Sequence, residues 1–312
     1  MTRYLVTGGA GFIGSSLSRA IVERGGEVRV LDSFLTGRDE NLADLPDVEV
    51  VRGDIRDLDT LKAAMKGVER VLHQAAVPSV PRSLKDPLLS NDSNITGTLN
   101  VLIAARDAGV PRVVMASSSS VYGDSPALPK VETMEPRPLS PYAITKLTGE
   151  YYCKVFHRQF GLETVALRYF NVFGPRQDPT SDYAAVIPLF ISLMARGKRP
   201  NLNGDGLHSR DFTYIDNVVQ ANLRATEAPN VGGEVFNVAC GQRYTLLDLI
   251  AALNKILGAD IEPTFGPPRP GDVQHSLADI GKARQLLGYE PAVTFEEGLE
   301  RTVVWGRGQI SS

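Results

Sequence analysis

A doubly wound α/β fold, a parallel sheet with helices on both faces, is the architecture this sequence predicts. Three observations carry it. Residues 1 to about 170 alternate short β-rich runs with amphipathic helical stretches, the pattern of successive βαβ units. The first unit places Gly8-Gly-Ala-Gly11-Phe-Ile-Gly14 between an apolar run, Arg3–Thr7, and a helical stretch over 15–24. A second strand, 27–31, ends in Asp32, eighteen residues after Gly14.

Further strands read at 48–52, Arg70–His73, 112–116 and 163–167, each a short β-branched run bounded by turn residues. Helices fall between them at 58–66, 90–108 and Pro141–Phe160. After Phe173 proline and glycine become frequent, as in Gly174-Pro-Arg, Asn203-Gly-Asp-Gly and Gly266-Pro-Pro-Arg-Pro-Gly271. These are loops around helices near 186–196, 217–227, 246–257 and 295–305. The run 235–238 reads as a late strand returning to the main sheet. The expected division is therefore 1–173 for a Rossmann-like dinucleotide domain, with later returns near 213–240, and 174–312 for a smaller C-terminal α/β substrate lobe.

The glycine run has a physical reading. Glycines at 8, 11 and 14 allow a tight turn, close backbone approach to a pyrophosphate, and close helix–strand packing. The helix that follows offers unpaired N–H groups and a positive dipole to the phosphates. Asp32 suits the adenosine ribose hydroxyls and repels a 2′-phosphate, which favours NAD over NADP. Tyr142 and Lys146 stand four apart in the helix Pro141–Phe160 and share one face. An ammonium beside a phenol favours the phenolate, so a Tyr142 pKa below the reference of about 10 is expected. That would make Tyr142 a general base for a substrate hydroxyl whose carbon gives up hydride.

Composition bounds the function. Apolar residues make up 43% and charged residues 22% of 312 residues, ordinary for a globular protein. A net charge of −3 gives no reason to expect nucleic acid or an anionic membrane surface. No stretch has the length and hydropathy of a membrane span and no leader precedes the first strand, so the expected location is the cytoplasm. Cys153 and Cys240 stand in no CxxC or His-containing cluster, so neither a disulfide framework nor a metal site is expected.

The motifs together resemble the extended short-chain dehydrogenase/reductase family and, within it, the UDP-hexose 4-epimerases. They are TGGAGFIG at 7–14, GDIRD at 53–57, HQAA at 73–76, NITGT at 94–98, SSSSVYGD at 117–124, SPYAITK at 140–146, RYFNVFGPRQ at 168–177, SRDF at 209–212 and RPGDVQHSLADI at 269–280. The resemblance implies that Tyr142 is the base and that Lys146 holds the nicotinamide ribose. It places Ser118 against the sugar O4, with Ser119 beside it. Gly8, Gly11, Phe12, Ile13, Asp32, Gly37, Asp54, Ile55, Gln74, Ala75, Ala76, Asn94 and Tyr169 match positions that contact the cofactor, NAD. Asn171, Ala185, Val186, Arg210, Arg269 and Asp272 match positions that hold the UDP portion of a UDP-sugar substrate. Arginine suits a diphosphate because its guanidinium is planar, permanently charged and bidentate. The family also implies a homodimer joined through the helices near 90–108 and Pro141–Phe160.

Within that resemblance, the dehydratases place an Asp-Glu pair after the active-site Ser or Thr, whereas Ser119-Ser120 stand here. A decarboxylase would need a nearby Glu, absent from the same stretch. Epimerisation of UDP-glucuronate stays open. A non-catalytic NAD-binding protein would be expected to have lost the Ser, Tyr or Lys. Ser276, four residues after Asp272, matches the position that guards sugar C2, where a small residue admits an N-acetyl group. Ser79 and the stretch 183–187 resemble the same branch, so UDP-N-acetylglucosamine is the expected substrate, with UDP-glucose as a further one.

Overall fold

The computed structural model describes residues 2–179, 185–267 and 274–310. The N-terminal half runs β1 (Arg3–Thr7), α1 (Phe12–Glu23), β2 (Glu27–Asp32), β3 (Glu49–Arg52), α2 (Leu58–Ala64), β4 (Arg70–His73), α3 (Val80–Lys85), α4 (Pro87–Asn91), α5 (Gly97–Asp107), β5 (Arg112–Ser118), α6 (Pro141–Phe160) and β6 (Glu163–Tyr169). The remainder runs β7 (Val172–Phe173), α7 (Val186–Met194), β8 (Asn201–Asn203), β9 (Ser209–Arg210), β10 (Thr213–Tyr214), α8 (Ile215–Glu227), β11 (Glu234–Val238), β12 (Tyr244–Thr245), α9 (Leu246–Leu257), β13 (Thr264–Gly266), α10 (Gly281–Leu287) and α11 (Phe295–Ile310).

Seven strands form one sheet in the order β11-β6-β5-β4-β1-β2-β3, and every pairing is parallel. The fold is the doubly wound α/β fold that the alternation predicts. Side chains alternate between faces along each strand. Leu5, Val71, Val113 and Met115 pack with α2, α5 and α6 on one face. Val6, Leu72, Val114 and Leu167 pack on the other face with α1, α8 and residues of α7, α9 and α11. Strand order reverses between β1 and β4, the switch point where such sheets bind ligands.

Several boundaries differ from the sequence reading. Helix α1 starts three residues before the expected position 15, because the second half of the glycine run is already helical. Strands β5 and β6 extend two residues past 116 and 167, which carries Ser118 and Tyr169 to the sheet's carboxyl edge. The expected helix 90–108 is interrupted by a π-helical turn, Asp92–Thr96, between α4 and α5. Helix α3 was not foreseen. Its Pro81 reads as a breaker, yet proline is well placed in a first turn, here capped by Ser79. The late strand stands beside β6 as β11.

Candidate active site

A cleft of about 880 Å³ opens at the carboxyl ends of the strands. Of the sequence-predicted residues it brings together Gly8, Gly11, Phe12, Ile13, Asp32, Gly37, Asp54, Ile55, Gln74, Ala75, Ala76, Ser79, Tyr142, Lys146, Tyr169 and Ala185. They come from the ends of five strands, from α1 and α6, and from the caps of α3 and α7, so only the folded chain assembles them. A second depression of about 650 Å³, between α6, α10 and residues 131–136, holds none of these motif residues.

The glycine loop has the shape of a dinucleotide cradle. Gly8 has φ +70°, and a Cβ there would stand 2.6 Å from the Ala75 nitrogen. A Cβ on Gly14 would stand 2.1 Å from the Gly8 carbonyl oxygen. Both positions therefore exclude any side chain. The first turn of α1 carries no acidic residue and no side-chain cap, which leaves its N–H groups to the cleft. Asp32 is nearly buried and accepts bonds from Ala10 N–H (2.9 Å) and Phe34 N–H (2.8 Å). Burial pushes its carboxyl pKa up, and those two bonds oppose the shift. Gly37 packs on it, since a Cβ there would lie 2.8 Å from an Asp32 oxygen. These residues fit NAD, held by backbone N–H groups at one end and a ribose-facing carboxylate at the other.

The reactive end lies across the cleft. Ser140 caps α6 and Pro141 opens it, placing Tyr142 in the first turn. The Tyr142 N–H donates to Ser83 Oγ at 3.1 Å, which ties α6 to α3. The Ser118 hydroxyl hydrogen-bonds the Tyr142 phenol. Ser118 Oγ itself accepts from Ser120 N–H (3.2 Å) and Ser120 O–H (2.9 Å), which leaves its own proton to be donated to Tyr142. Lys146 lies one turn on, nearly buried, its Nζ 5.8 Å from the Tyr142 ring centre and donating to Ala116 O at 2.9 Å. Burial lowers the Lys146 pKa to about 8. His73, wedged between Thr7 (2.7 Å) and Thr98 (3.0 Å), is pushed down to about 3 by burial and then by the Lys146 charge, so it is neutral.

The expectation for Tyr142 is corrected here. Its pKa is raised, not lowered, because burial disfavours the phenolate more than the Ser118 hydrogen bond favours it. Helix spacing showed that Tyr142 and Lys146 share a face but not how much water the fold removes from them. Asn94 is also placed differently from the expected cofactor contact. Its amide is buried behind the cleft wall, bonded to Val77 N–H (2.7 Å), Val77 O (3.1 Å) and Thr145 Oγ1 (3.1 Å). It braces the loop after β4 against α6.

Ser118, Ser119, Asn171, Val186, Arg210 and Ser276 are not among the residues that line the cleft. Asn171, at φ +35°, donates to Asp211 O at 3.2 Å. Arg210 donates to Ser209 O (3.0 Å) and Gln274 O (3.1 Å), and Ser276 N–H donates to Ser209 O at 3.0 Å. Arg269 and Asp272 lie outside the described residues, as do residues 183 and 184 of the expected 183–187 stretch. Arg82 and Arg176 line the cleft without having been assigned. Arg82 stands three residues after Ser79, and Arg176 lies within RYFNVFGPRQ. Asp211 was also missed. Fully buried, it accepts from the N–H groups of Cys240 (2.9 Å), Gly241 (3.1 Å) and Ala278 (3.1 Å), joining three loops of the lobe, and burial pushes it up to about 7.

The model of the NAD dependent epimerase/dehydratase family matches residues 4–239. The chain belongs to that family. Its full-length relatives narrow the group. The UDP-glucose 4-epimerase of Mycolicibacterium smegmatis is 41% identical over 313 residues, covering 98% of this chain and 99% of its own. The UDP-N-acetylglucosamine 4-epimerase of Methanobrevibacter ruminantium, solved with UDP-N-acetylmuramic acid, is 40% identical, with TM-score 0.94 and 99% coverage of both chains. The UDP-glucuronic acid 4-epimerase of Bacillus cereus, solved with UDP-glucuronic acid and NAD, is 35% identical, with TM-score 0.92 and coverage of 99% and 100%. This epimerase therefore sits in the UDP-hexose 4-epimerase group of extended short-chain dehydrogenases, with NAD as its cofactor.

Proposed function

We propose that this epimerase interconverts UDP-N-acetylglucosamine and its C4 epimer, and more slowly UDP-glucose and UDP-galactose. The observation that carries the chemistry is the Ser118–Tyr142 hydrogen bond with Lys146 one turn behind it, at the mouth of a dinucleotide cradle. NAD, when bound, supplies the hydride acceptor and donor at C4. Tyr142 takes the O4 proton, and Ser118, held by Ser120, directs the hydroxyl towards it. Lys146 stabilises the phenolate by its charge. The resulting 4-keto sugar turns, and Tyr142 returns the proton when the opposite face is reduced. The UDP end falls to Asn171, Ala185, Val186, Arg210, Arg269 and Asp272, a set drawn from the later segments.

The N-acetyl preference rests on small side chains. Ser79 lines the cleft, and Ser276 is nearly buried in a strip paired with Ser209, next to Arg210. UDP-glucuronate is the second reading, favoured by Arg82 on the cleft wall three residues after Ser79. A homodimer fits the exposed apolar stripe of α6, where Ile144 (49%), Tyr151 (54%) and Val155 (49%) follow one another near Leu84 and Leu88.

The test of substrate is kcat/KM on UDP-N-acetylglucosamine, UDP-glucose and UDP-glucuronate for wild type and Ser276→Tyr. Overpacking of about 1–3 kcal/mol would lower the N-acetylated substrate's kcat/KM by roughly 5- to 150-fold and spare UDP-glucose. An unchanged ratio removes Ser276 from the sugar pocket.

A further inference from the structure

Behind the reactive end, three successive turns of α6 meet three successive residues of β5. Tyr142 hydrogen-bonds Ser118, Lys146 donates to Ala116 O at 2.9 Å, and Glu150 accepts from Ser117 Oγ at 2.5 Å. The spacing of four keeps Tyr142, Lys146 and Glu150 on one helix face. Glu150 is 2% exposed, and it also takes Arg168 in a two-pronged pair, Nε to Oε1 at 2.8 Å and Nη2 to Oε2 at 2.7 Å. Arg168 and Ser117 are register partners on β6 and β5, next to Tyr169 and Ser118.

We infer that Glu150 and Ser117 are positioning residues of the reaction: they clip α6 to the end of β5 and so set the Ser118–Tyr142 hydrogen bond. The inference rests on the reading of Tyr142 as the base. Buried ion pairs add little net stability, because desolvating two charges offsets most of their attraction. Fold stability therefore gives only a weak reason for this pair, whereas geometry gives a direct one. Neutral packing would not hold a strand end to a helix at a defined hydroxyl. The guanidinium carries the clip further, lying 4.6 Å over the Tyr122 ring, whose hydroxyl donates to Asn237 Oδ1 at 2.7 Å. The charged and titratable groups around Tyr142 are Lys146 on its own helix, neutral His73 on β4 behind Lys146, and Arg82 of α3 on the cleft wall. None of these is touched by the variant below.

Ser117→Ala removes one buried hydroxyl and leaves Glu150 paired with Arg168. In the NAD-loaded enzyme it should loosen the Ser118–Tyr142 bond, which favours the phenolate. The acid limb of the pH–rate profile should then move to higher pH by about half a unit to one unit, the worth of one net hydrogen bond. Turnover of UDP-glucose below the limb should fall roughly 3- to 10-fold for that shift, with KM within about twofold. Ultraviolet titration of tyrosinate, as the difference from Tyr142→Phe, should show the same shift without substrate. If Ser117→Ala does not fold, Glu150→Asp keeps the charge and draws it back from Ser117, and the same shift is expected. An unmoved limb and titration, with turnover tracking only the folded fraction, overturns the positioning role while Tyr142→Phe stays inactive. Near wild-type turnover in Tyr142→Phe would instead remove the base, and the inference with it.

Discussion

Replacing Lys146 with methionine removes the charge nearest the proposed base while keeping an unbranched side chain in its buried slot. The ammonium lies 5.8 Å from the Tyr142 ring centre. At an effective dielectric of about 20, a unit charge at that distance favours the phenolate by about 3 kcal/mol. That equals about 2 pKa units. Burial already holds the Tyr142 pKa above its ordinary value, so the variant should push it further up. The acid limb of kcat/KM should move to higher pH by about 2 units, and the rate below it should fall about 100-fold. Raising the pH should recover part of that loss, because the phenolate then forms without help. In wild type an opposite loss is expected as pH rises through the Lys146 pKa of about 8, where the ammonium itself is discharged. The assay is the pH–rate profile on UDP-glucose, with NAD content measured for each preparation so that lost cofactor is not read as lost chemistry. An acid limb that stays in place in Lys146→Met would refute electrostatic support of Tyr142.

Gly14→Ala should yield protein without NAD on acid extraction and destabilised by about 1–3 kcal/mol, since its Cβ would sit 2.1 Å from the Gly8 oxygen; full NAD content would contradict the cradle. His73 binds a proton at about 3 folded and near 6.5 unfolded, so its stabilisation is complete above 6.5 and is lost as pH falls towards 3. Between pH 7 and 5 the wild type should lose about 2 kcal/mol more than His73→Gln in urea titrations, and equal losses would reject this account. Light scattering should give twice the 33.8 kDa chain mass, and Val155→Glu, on the exposed α6 stripe, should give the single mass.

The sheet, and the meeting of the glycine run with Asp32 at one cleft, were legible in the sequence because local rules generate them. Short β-branched runs bounded by turn residues mark strands, and Gly8 and Gly14 stand where backbone sterics exclude a side chain. Less legible were features made by contact between distant segments. Ser117 and Arg168 lie in two separate motifs and Glu150 in none, and nothing in their spacing says that they meet. The short paired strands β7 with β10, β9 with β12 and β8 with β13 span two or three residues each, too short for any periodicity. The direction of the Tyr142 shift failed for a related reason, since desolvation depends on what covers a residue and not on its neighbours in sequence.

The distribution of buried charge explains how such a site is ready before substrate arrives. Asp32, Lys146, Glu150 and Arg168 are each under a tenth exposed, and all stand at or beside the strand ends. Left unpaired, each would cost several kcal/mol. Here backbone amides hold Asp32, the Ala116 carbonyl holds Lys146, and Glu150 and Arg168 hold one another. All of these partners belong to the sheet, its loops or α6, so the polar geometry is fixed by the same packing that forms the core. The proposed reaction, in which the sugar turns over between two hydride transfers, needs that arrangement. The groups proposed to react stay in place on rigid elements, and on this reading only the hexose moves. Substrate binding energy is then not consumed in ordering Tyr142, Ser118 and Lys146, and remains available for gripping the nucleotide end.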